Sequence, residues 1–307
     1  MLKKSIISTL AHYEAERGLP LSAFEIYRYL HKLNNTDLYK LKDVLEIIEG
    51  LVQNKTIGFI NGFYFLNPGN KVDKYKERIS RDKISIKKWK KARNIIWLMQ
   101  LVPFIRSIAV AGSLSMNNTN KSSDIDLFII TKAKRIWMVR TFSMLLTQFI
   151  GKRRHNKKIN NKICLNYYLA EDILPEIKNI ASANVFLRSI PVSGVSVYNS
   201  FFEKNINWMQ GCFNKAILIY AKKREIKNSN LLCLIKNFFE FVFSGSFGDF
   251  VEKFFSTWQT ERINKKIEKD NNVSNLIFTD NILMFHYPNP RNKDVLEKYN
   301  NLMRSYP

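Results

Sequence analysis

The sequence predicts an α+β protein. A helical module closed by a hairpin precedes a small mixed sheet with flanking helices, and an α-helical C-terminal region follows. Three observations carry that reading. Residues 1–68 show three segments with apolar residues at helical spacing, then two β-rich runs joined by Asn61-Gly62. Residues 103–190 hold apolar strand-like runs at Ile105–Ala111, in "DIDLFIIT" from Asp124, and at Ile163–Leu169. Beyond residue 191 the apolar residues return to helical period.

Taken in order, the first helix is predicted over about Lys3–Glu16. "LSAFEIYRYLHKL" opens with Ser22 and Glu25 three apart, the spacing of a capping box, and Phe24, Tyr27, Leu30 and Leu33 repeat at helical spacing. A third helix is predicted over Leu38–Gln53, burying Leu41, Val44, Leu45, Ile48 and Leu51. "TIGFINGFYFL" then reads as a hairpin. Three helices followed by a hairpin resemble a winged-helix domain over all of residues 1–68. Such domains often bind DNA. Here the helix that would enter the groove carries Asp43, Glu46 and Glu49 against Lys40 and Lys42. Phosphate neutralisation supplies most of the affinity for DNA, so DNA binding is not expected of this module. Positioning an acceptor or docking a protein partner is the expected role.

Residues 69–102 form a basic connector helix, with eleven Lys/Arg against three acids between Lys71 and Arg93. Ile84, Trp89, Ile95, Ile96, Trp97 and Met99 predict one packed face late in this helix. Its charge is either a solvated surface or a basic rail leading to the next segment. Pro103 ends it. After the central unit, Pro191–Tyr198 reads as a loop. Helices are predicted over about Asn207–Arg224, Asn230–Phe243, Phe247–Lys269 and Lys293–Met303, with a short apolar run at Leu276–Phe285. Residues 191–307 are therefore expected to be an α-helical domain.

Chemistry concentrates in the central unit, residues 103–190. "AGS" at Ala111–Ser113 ends a strand, a polar turn "NNTNKSS" follows, and Asp124-Ile125-Asp126-Leu127 opens the next strand. Residues i and i+2 of a strand share a face, so Asp124 and Asp126 project together while Ile125 turns into the core. Two parallel carboxylates repel unless a cation lies between them. This pattern resembles the DNA-polymerase-β-like nucleotidyltransferase superfamily over roughly residues 103–172. Its signature is Gly with Gly or Ser, a short helix and turn, then Asp, a hydrophobic residue, and Asp or Glu. The resemblance implies a Mg²⁺-dependent transfer of an NMP from an NTP, ATP included, to a hydroxyl or phosphate acceptor, with release of pyrophosphate. Asp124 and Asp126 would then be catalytic metal ligands for two Mg²⁺ ions, with Mn²⁺ as a substitute. Gly112 and Ser113 would cradle phosphate, with Lys121 reaching it.

The superfamily draws a third carboxylate from a neighbouring strand. In "KICLNYYLAED" the interior position is Asn166, and the first acids are Glu171 and Asp172 at the far end. Either Glu171 or Asp172 reaches back as the third catalytic carboxylate, or Asn166 serves as a neutral metal ligand. In an unbroken strand Cys164, Asn166 and Tyr168 would share one face. The preceding "GKRRHNKKINNK" holds six basic residues and no acid. Lys152, Arg153 and Arg154 are the phosphate-binding candidates there, with a polyanionic acceptor such as RNA as an expected partner. His155 stands in that loop as a lesser phosphate donor, and His286 is expected to be structural.

Composition agrees with a polyanion partner: 49 Lys+Arg against 26 Asp+Glu give a formal charge of +23. Cys164, Cys212 and Cys233 have neither metal-like nor disulfide spacing and are expected to be inert thiols. There is no Ser-His-Asp set, Walker loop, dinucleotide fingerprint or zinc spacing. "MLKKSIISTLAHYEAERG" lacks a cleavage-site pattern, and the apolar stretch Leu231–Phe250 is interrupted by Lys236, Glu240 and Asp249. A cytoplasmic protein with no membrane partner is expected. A second reading stands beside the enzyme: a nucleic-acid-binding or regulatory protein on a catalytically degenerate core of the same type.

Overall fold

The computed structural model describes all residues except 19, 34–37, 67–70, 155–158, 174–177, 219–221, 270–275, 286–290 and 307, and describes positions 17, 71, 269 and 291–293 by backbone alone. His155 and His286 lie outside the described residues. The chain is mixed α and β, with one small and one larger sheet. Its N-terminal unit runs α1 (Leu2–Arg17), β1 (Leu21–Ser22), α2 (Ala23–Arg28), α3 (Leu41–Gln53), β2 (Gly58–Ile60) and β3 (Phe63–Phe65). The capping box at Ser22 forms: its hydroxyl accepts the Glu25 N–H at 3.3 Å, and Glu25 accepts the Ser22 N–H at 2.8 Å. Asn61 and Gly62 both take positive φ, 46° and 85°, as the two-residue hairpin turn requires. β1 pairs antiparallel with β3, a strand two residues long that periodicity cannot reveal. Helix α2 is shorter than its apolar pattern suggests. Ile26, Tyr29 and Leu30 are buried, while Phe24 and Leu33 are exposed.

From the hairpin, α4 (Lys71–Leu98) runs to the central sheet. Two of its early cations are paired, Lys74 with Glu14 at 2.7 Å and Arg78 with Glu25 at 2.9 Å, while Lys76, Lys83, Lys87, Lys90 and Lys91 are exposed. Its late face buries Trp89, Ala92, Ile95 and Ile96, whereas Trp97 is exposed. Then follow β4 (Ile105–Val110), α5 (Gly112–Ser115), β5 (Ile125–Thr131), α6 (Ile136–Phe149), β6 (Ile163–Ala170), α7 (Ile180–Arg188), β7 (Ile190–Ser193) and α8 (Val195–Cys212). The chain closes with α9 (Asn230–Val242), α10 (Ser246–Lys269), β8 (Ile277–Phe278), β9 (Ile282–Met284) and α11 (Arg291–Arg304). The six-stranded sheet has the order β7-β4-β5-β6-β9-β8, and β5 and β6 are its parallel pair.

Alternation along β4 and β5 divides the core in two. Ala109, Phe128, Ile130 and Leu169 face α7, α8 and the N-terminal unit. Ile108, Val110, Leu127, Ile129 and Tyr168 face the end of α4, α6 and α10. Phe128 sits at the centre of the first face, with ring centroids of Tyr167, Phe201 and Phe186 at 4.8, 5.4 and 5.6 Å. Phe128→Ala is expected to cost about 3–5 kcal/mol, because the ring is fully enclosed and its neighbours are large. Urea unfolding of the variant measures it, and a loss under about 1 kcal/mol would mean that this cluster is loosely packed.

Three expectations for the C-terminal half need correction. The stretch around Pro191 is not a loop but β7, an edge strand, where proline's missing N–H costs no ladder bond. The helix expected at Asn207–Arg224 instead begins at Val195 and ends at Cys212. The apolar run Leu276–Phe285 supplies β8 and β9, which extend the sheet beyond β6. Residues 191–307 are therefore not an all-helical unit. Three of the six strands, β7, β8 and β9, lie at or beyond its boundary. No single described helix is long and apolar enough to cross a membrane.

Candidate metal and phosphate site

The site forms where β4 hands over to β5. Gly112 follows the end of β4 with φ +65°, and a Cβ there would overlap an Asp126 carboxylate oxygen. Only glycine satisfies both the left-handed backbone and the close approach. Gly112→Ala is expected to displace the Asp126 carboxylate and to cost roughly 1–2 kcal/mol for the backbone conformation alone. Thermal unfolding and a Mn²⁺ titration of the variant check both effects. Wild-type metal affinity in that variant would remove Gly112 from the site. The Ala111 N–H donates to the Asp126 carbonyl at 3.0 Å, locking the two strand ends together.

Helix α4 holds the turn between α5 and β5. Ser85 and Thr119 hydroxyls meet at 2.9 Å, and the Trp89 indole donates to Asn117 at 3.1 Å. Buried Lys88 donates to the carbonyls of Lys121 and Ser123, one residue before Asp124. Burial holds the Lys88 ammonium below its ordinary value, Lys91 adds to that, and Asp124 opposes it. Sequence reasoning missed Lys88 because it is one of many lysines on a basic helix. Ser113 is buried beside Gly112, and its carbonyl accepts the Asn118 N–H at 2.9 Å. Lys121 stands exposed at the tip of the turn.

Asp126 pairs across the parallel ladder with Cys164 on β6. Ligating atoms of Asp124, Asp126 and Cys164 all lie within 4.8 Å of one another, so among the described residues these three could hold a cation. The neighbouring-strand position is thus a thiol. Asn166 contacts the Cys164 sulfur and stands one step further out. The ladder shifts between Asp126/Cys164 and Phe128/Tyr167, so β6 carries one extra residue there. That bulge breaks the strict alternation expected for this strand. Tyr168 packs in the core that holds Ile163 and Leu165, not on the face of Cys164.

Glu171 is at the other end of β6. Its N–H donates to the Thr131 carbonyl at 2.9 Å, and its carboxylate lies 3.9 Å from Arg106. Thr131 is five residues beyond Asp126 on β5, about 16 Å at strand rise. Neither Glu171 nor the following Asp172 stands beside the pair, which corrects the expectation that one of them completes the site. Burial, with Asp126 and Asp124 adding to it, pushes the Cys164 thiol far above its ordinary range. A neutral sulfur is a poor donor for a hard cation such as Mg²⁺, which prefers oxygen.

The cation between the aspartates comes partly from the protein itself. Arg154 donates to Asp124 at 2.6 Å and to the Cys164 sulfur at 3.3 Å. Its segment is held along β6: Ile163 N–H to the Lys152 carbonyl at 2.7 Å and Arg154 N–H to the Ile163 carbonyl at 3.1 Å. Lys152 is exposed; Arg153 and Arg154 turn inward. Together with Arg140 of α6 and Lys266 of α10 they line a cavity of about 400 Å³, with Cys164 and Asn166 on its inner wall. Phe285, Ile263 and Leu276 form an apolar side, and no acidic side chain lines it among the described residues.

Arg140 stacks on Phe285 at 4.3 Å and engages Gln259, while its Nε is buried with no hydrogen-bond partner. Burial, helped by Arg153 and Arg262, pushes Arg140 down to about 10, so it stays charged at neutral pH. Arg153 is lowered too, by burial and then by Arg262. Clustered cations that depress one another are relieved by an anion. Arg140 and Lys266 were not found from the sequence. The available signal was a single charge in the otherwise apolar "IWMVRTFSMLLTQF" of α6. No family model, curated protein or solved structure matches the chain.

Proposed function

We propose that this protein is a divalent-cation-dependent nucleotidyltransferase whose acceptor arrives already ionised, as a phosphate-bearing molecule. The observation that carries the reading is the packing of Gly112 against Asp126, with Asp124 and Asp126 gathered beside a cavity walled by four cations. Asp124 and Asp126 would hold one Mg²⁺ or Mn²⁺, which when bound would neutralise triphosphate charge. Among the described residues no third carboxylate joins the pair for the second ion expected of this chemistry. In the N-terminal unit Glu46 and Glu49 face solvent from α3. A protein or acceptor contact suits that surface better than DNA.

The acceptor class follows from the thiol in the cluster and the cations beside it. An acceptor oxygen attacks the α-phosphorus, its P–O bond forms as the α–β bridging bond breaks, and pyrophosphate leaves with the electron pair. A hydroxyl acceptor must lose a proton on the way, and a carboxylate normally takes it. Cys164, neutral, stands where that acid would be. A phosphate acceptor has no proton to lose, and Arg140, Arg153 and Lys266 would bind it. RNA with a terminal phosphate is one such acceptor.

Pyrophosphate release with each NTP, using a sugar and its phosphate ester as matched acceptors, tests this. Turnover is expected with the ester alone, and Lys266→Ala should raise its KM several-fold with kcat little changed. Equal turnover with the unphosphorylated sugar overturns the acceptor class. The second reading, a nucleotide-binding protein on a degenerate core, is favoured by one observation: no third carboxylate approaches the pair among the described residues. Nucleotide-dependent Mn²⁺ binding without any pyrophosphate release would establish it.

A further inference from the structure

Helices α9 and α10 turn the wrong side outward for a protein in water. On α9, Leu231, Leu234, Phe238 and Phe241 repeat at helical spacing and are 65%, 68%, 61% and 80% exposed. On α10, Phe247, Phe250, Phe254 and Trp258 continue the pattern at 58%, 69%, 59% and 40%. A surface helix ordinarily shows its charges to solvent and hides this stripe. Here the charges of α9 point inward. Lys236 donates to the Ile105 carbonyl at 2.7 Å, and Glu240 accepts the Phe104 N–H and pairs with Arg106 at 2.9 Å.

Stacked rings and part-buried hydrogen bonds hold the pair in place. The helices meet at a bend of 92°. Phe239, Phe243 and Phe247 stack in series across it, with centroids 6.4 and 5.6 Å apart and planes within 16°. Glu252 of α10 accepts the N–H groups of Trp137 and Met138 at 2.8 Å, anchoring the second arm to α6. The two stripes offer on the order of 1,000 Å² of apolar surface, above the largest patch of a typical monomer.

We infer that this helix pair is a membrane-docking surface that lies on an anionic lipid bilayer without crossing it. Neither helix alone is long and apolar enough to span, although the bent pair has the composition of a span. An amphipathic helix rich in Phe, Leu and Trp, flanked by cations, lies in the interface plane instead. Charge selects the lipid. The chain carries +23 overall, and exposed Arg262 and Lys265, interspersed with Glu261 and Glu268, follow the stripe at the end of α10. Trp258 stands where the apolar stripe gives way to those cations, with the Arg262 guanidinium 5.1 Å from its ring centre, as an interfacial tryptophan does.

Co-sedimentation of the full chain, without nucleotide, with vesicles of phosphatidylcholine alone and of phosphatidylcholine with about a third phosphatidylserine tests the inference. The protein is expected to pellet with the anionic vesicles, less so at high salt. Phe241→Glu and Phe250→Glu should each lower that partition roughly tenfold or more, with unchanged circular dichroism because both rings are exposed. No binding to either vesicle overturns the inference, as does equal binding to both for its anionic part. A dimer that Phe241→Glu dissociates, with no vesicle binding, would assign the surface to a second copy. The measurement is independent of whether the nucleotide site turns over.

Discussion

Asp126→Ala is expected to lower pyrophosphate release roughly 10²–10³-fold while leaving the fold intact. Its side chain packs against Gly112, but the strand ends are joined through the Asp126 backbone carbonyl, which the substitution keeps. Asp124→Asn and Asp126→Asn should each remove most nucleotide-dependent Mn²⁺ affinity, since two carboxylates are all the hard donors of the cluster. The two variants differ in one respect. Asp124 is the partner of Arg154 at 2.6 Å, so its amide also releases a guanidinium toward the cavity and is expected to tighten phosphate binding there. Calorimetric titration of Mn²⁺ with an NTP analogue reads both effects. Unchanged metal–nucleotide binding in both variants would sink the assignment.

Cys164→Asp should produce the opposite change in chemistry and a visible change in stability. It places a third carboxylate, almost fully buried, against two others. Without metal the variant is expected to lose about 1–3 kcal/mol, moderated by Arg154 beside the new charge. Mn²⁺ with nucleotide should restore that loss, because the three acids then share a cation. A carboxylate at this position can also accept a proton, so turnover with hydroxyl acceptors is expected to rise at least about tenfold. Asn166→Asp should do less, since Asn166 sits beyond the thiol. Thermal unfolding with and without Mn²⁺ decides it. A Cys164→Asp protein as stable as the parent and indifferent to metal would remove position 164 from the site.

The parts of this molecule that were legible in the sequence are those fixed by short-range chemistry. The Asn61-Gly62 turn, the Ser22–Glu25 cap and the Asp124–Asp126 pair each depend on residues a few positions apart. The α9 and α10 boundaries were also legible, because the apolar period of α9 is strong and the Gly- and Ser-rich "SGSFG" separates the two helices. The third position of the site was not. A single bulged residue in β6 changes which side chains share a face, and nothing in "ICLNYYLA" marks it. Glu171 looked near in sequence and is remote because β6 runs its full length away from Cys164. The cationic cavity joins α6, β6 and α10, from Arg140 to Lys266, and no local pattern connects them. Proline at 191 reads as a breaker unless one knows the strand is at an edge.

The buried guanidinium of Arg188 has a consequence for how this chain behaves as a whole. It sits on the Tyr13 ring at 4.4 Å, donates to the Tyr13 hydroxyl at 2.9 Å and pairs with Glu16 at 2.7 Å. Arg28 of the N-terminal unit reaches the Leu187 carbonyl in return, and Leu2, Ile6, Leu21 and Ile26 share one apolar cluster with Phe128 and Phe186. Separating the two sides of residue 68 would break these arginine contacts and expose the shared apolar cluster to water. The two halves are therefore expected to melt in a single cooperative transition, so that the N-terminal segment would not transfer intact to another protein.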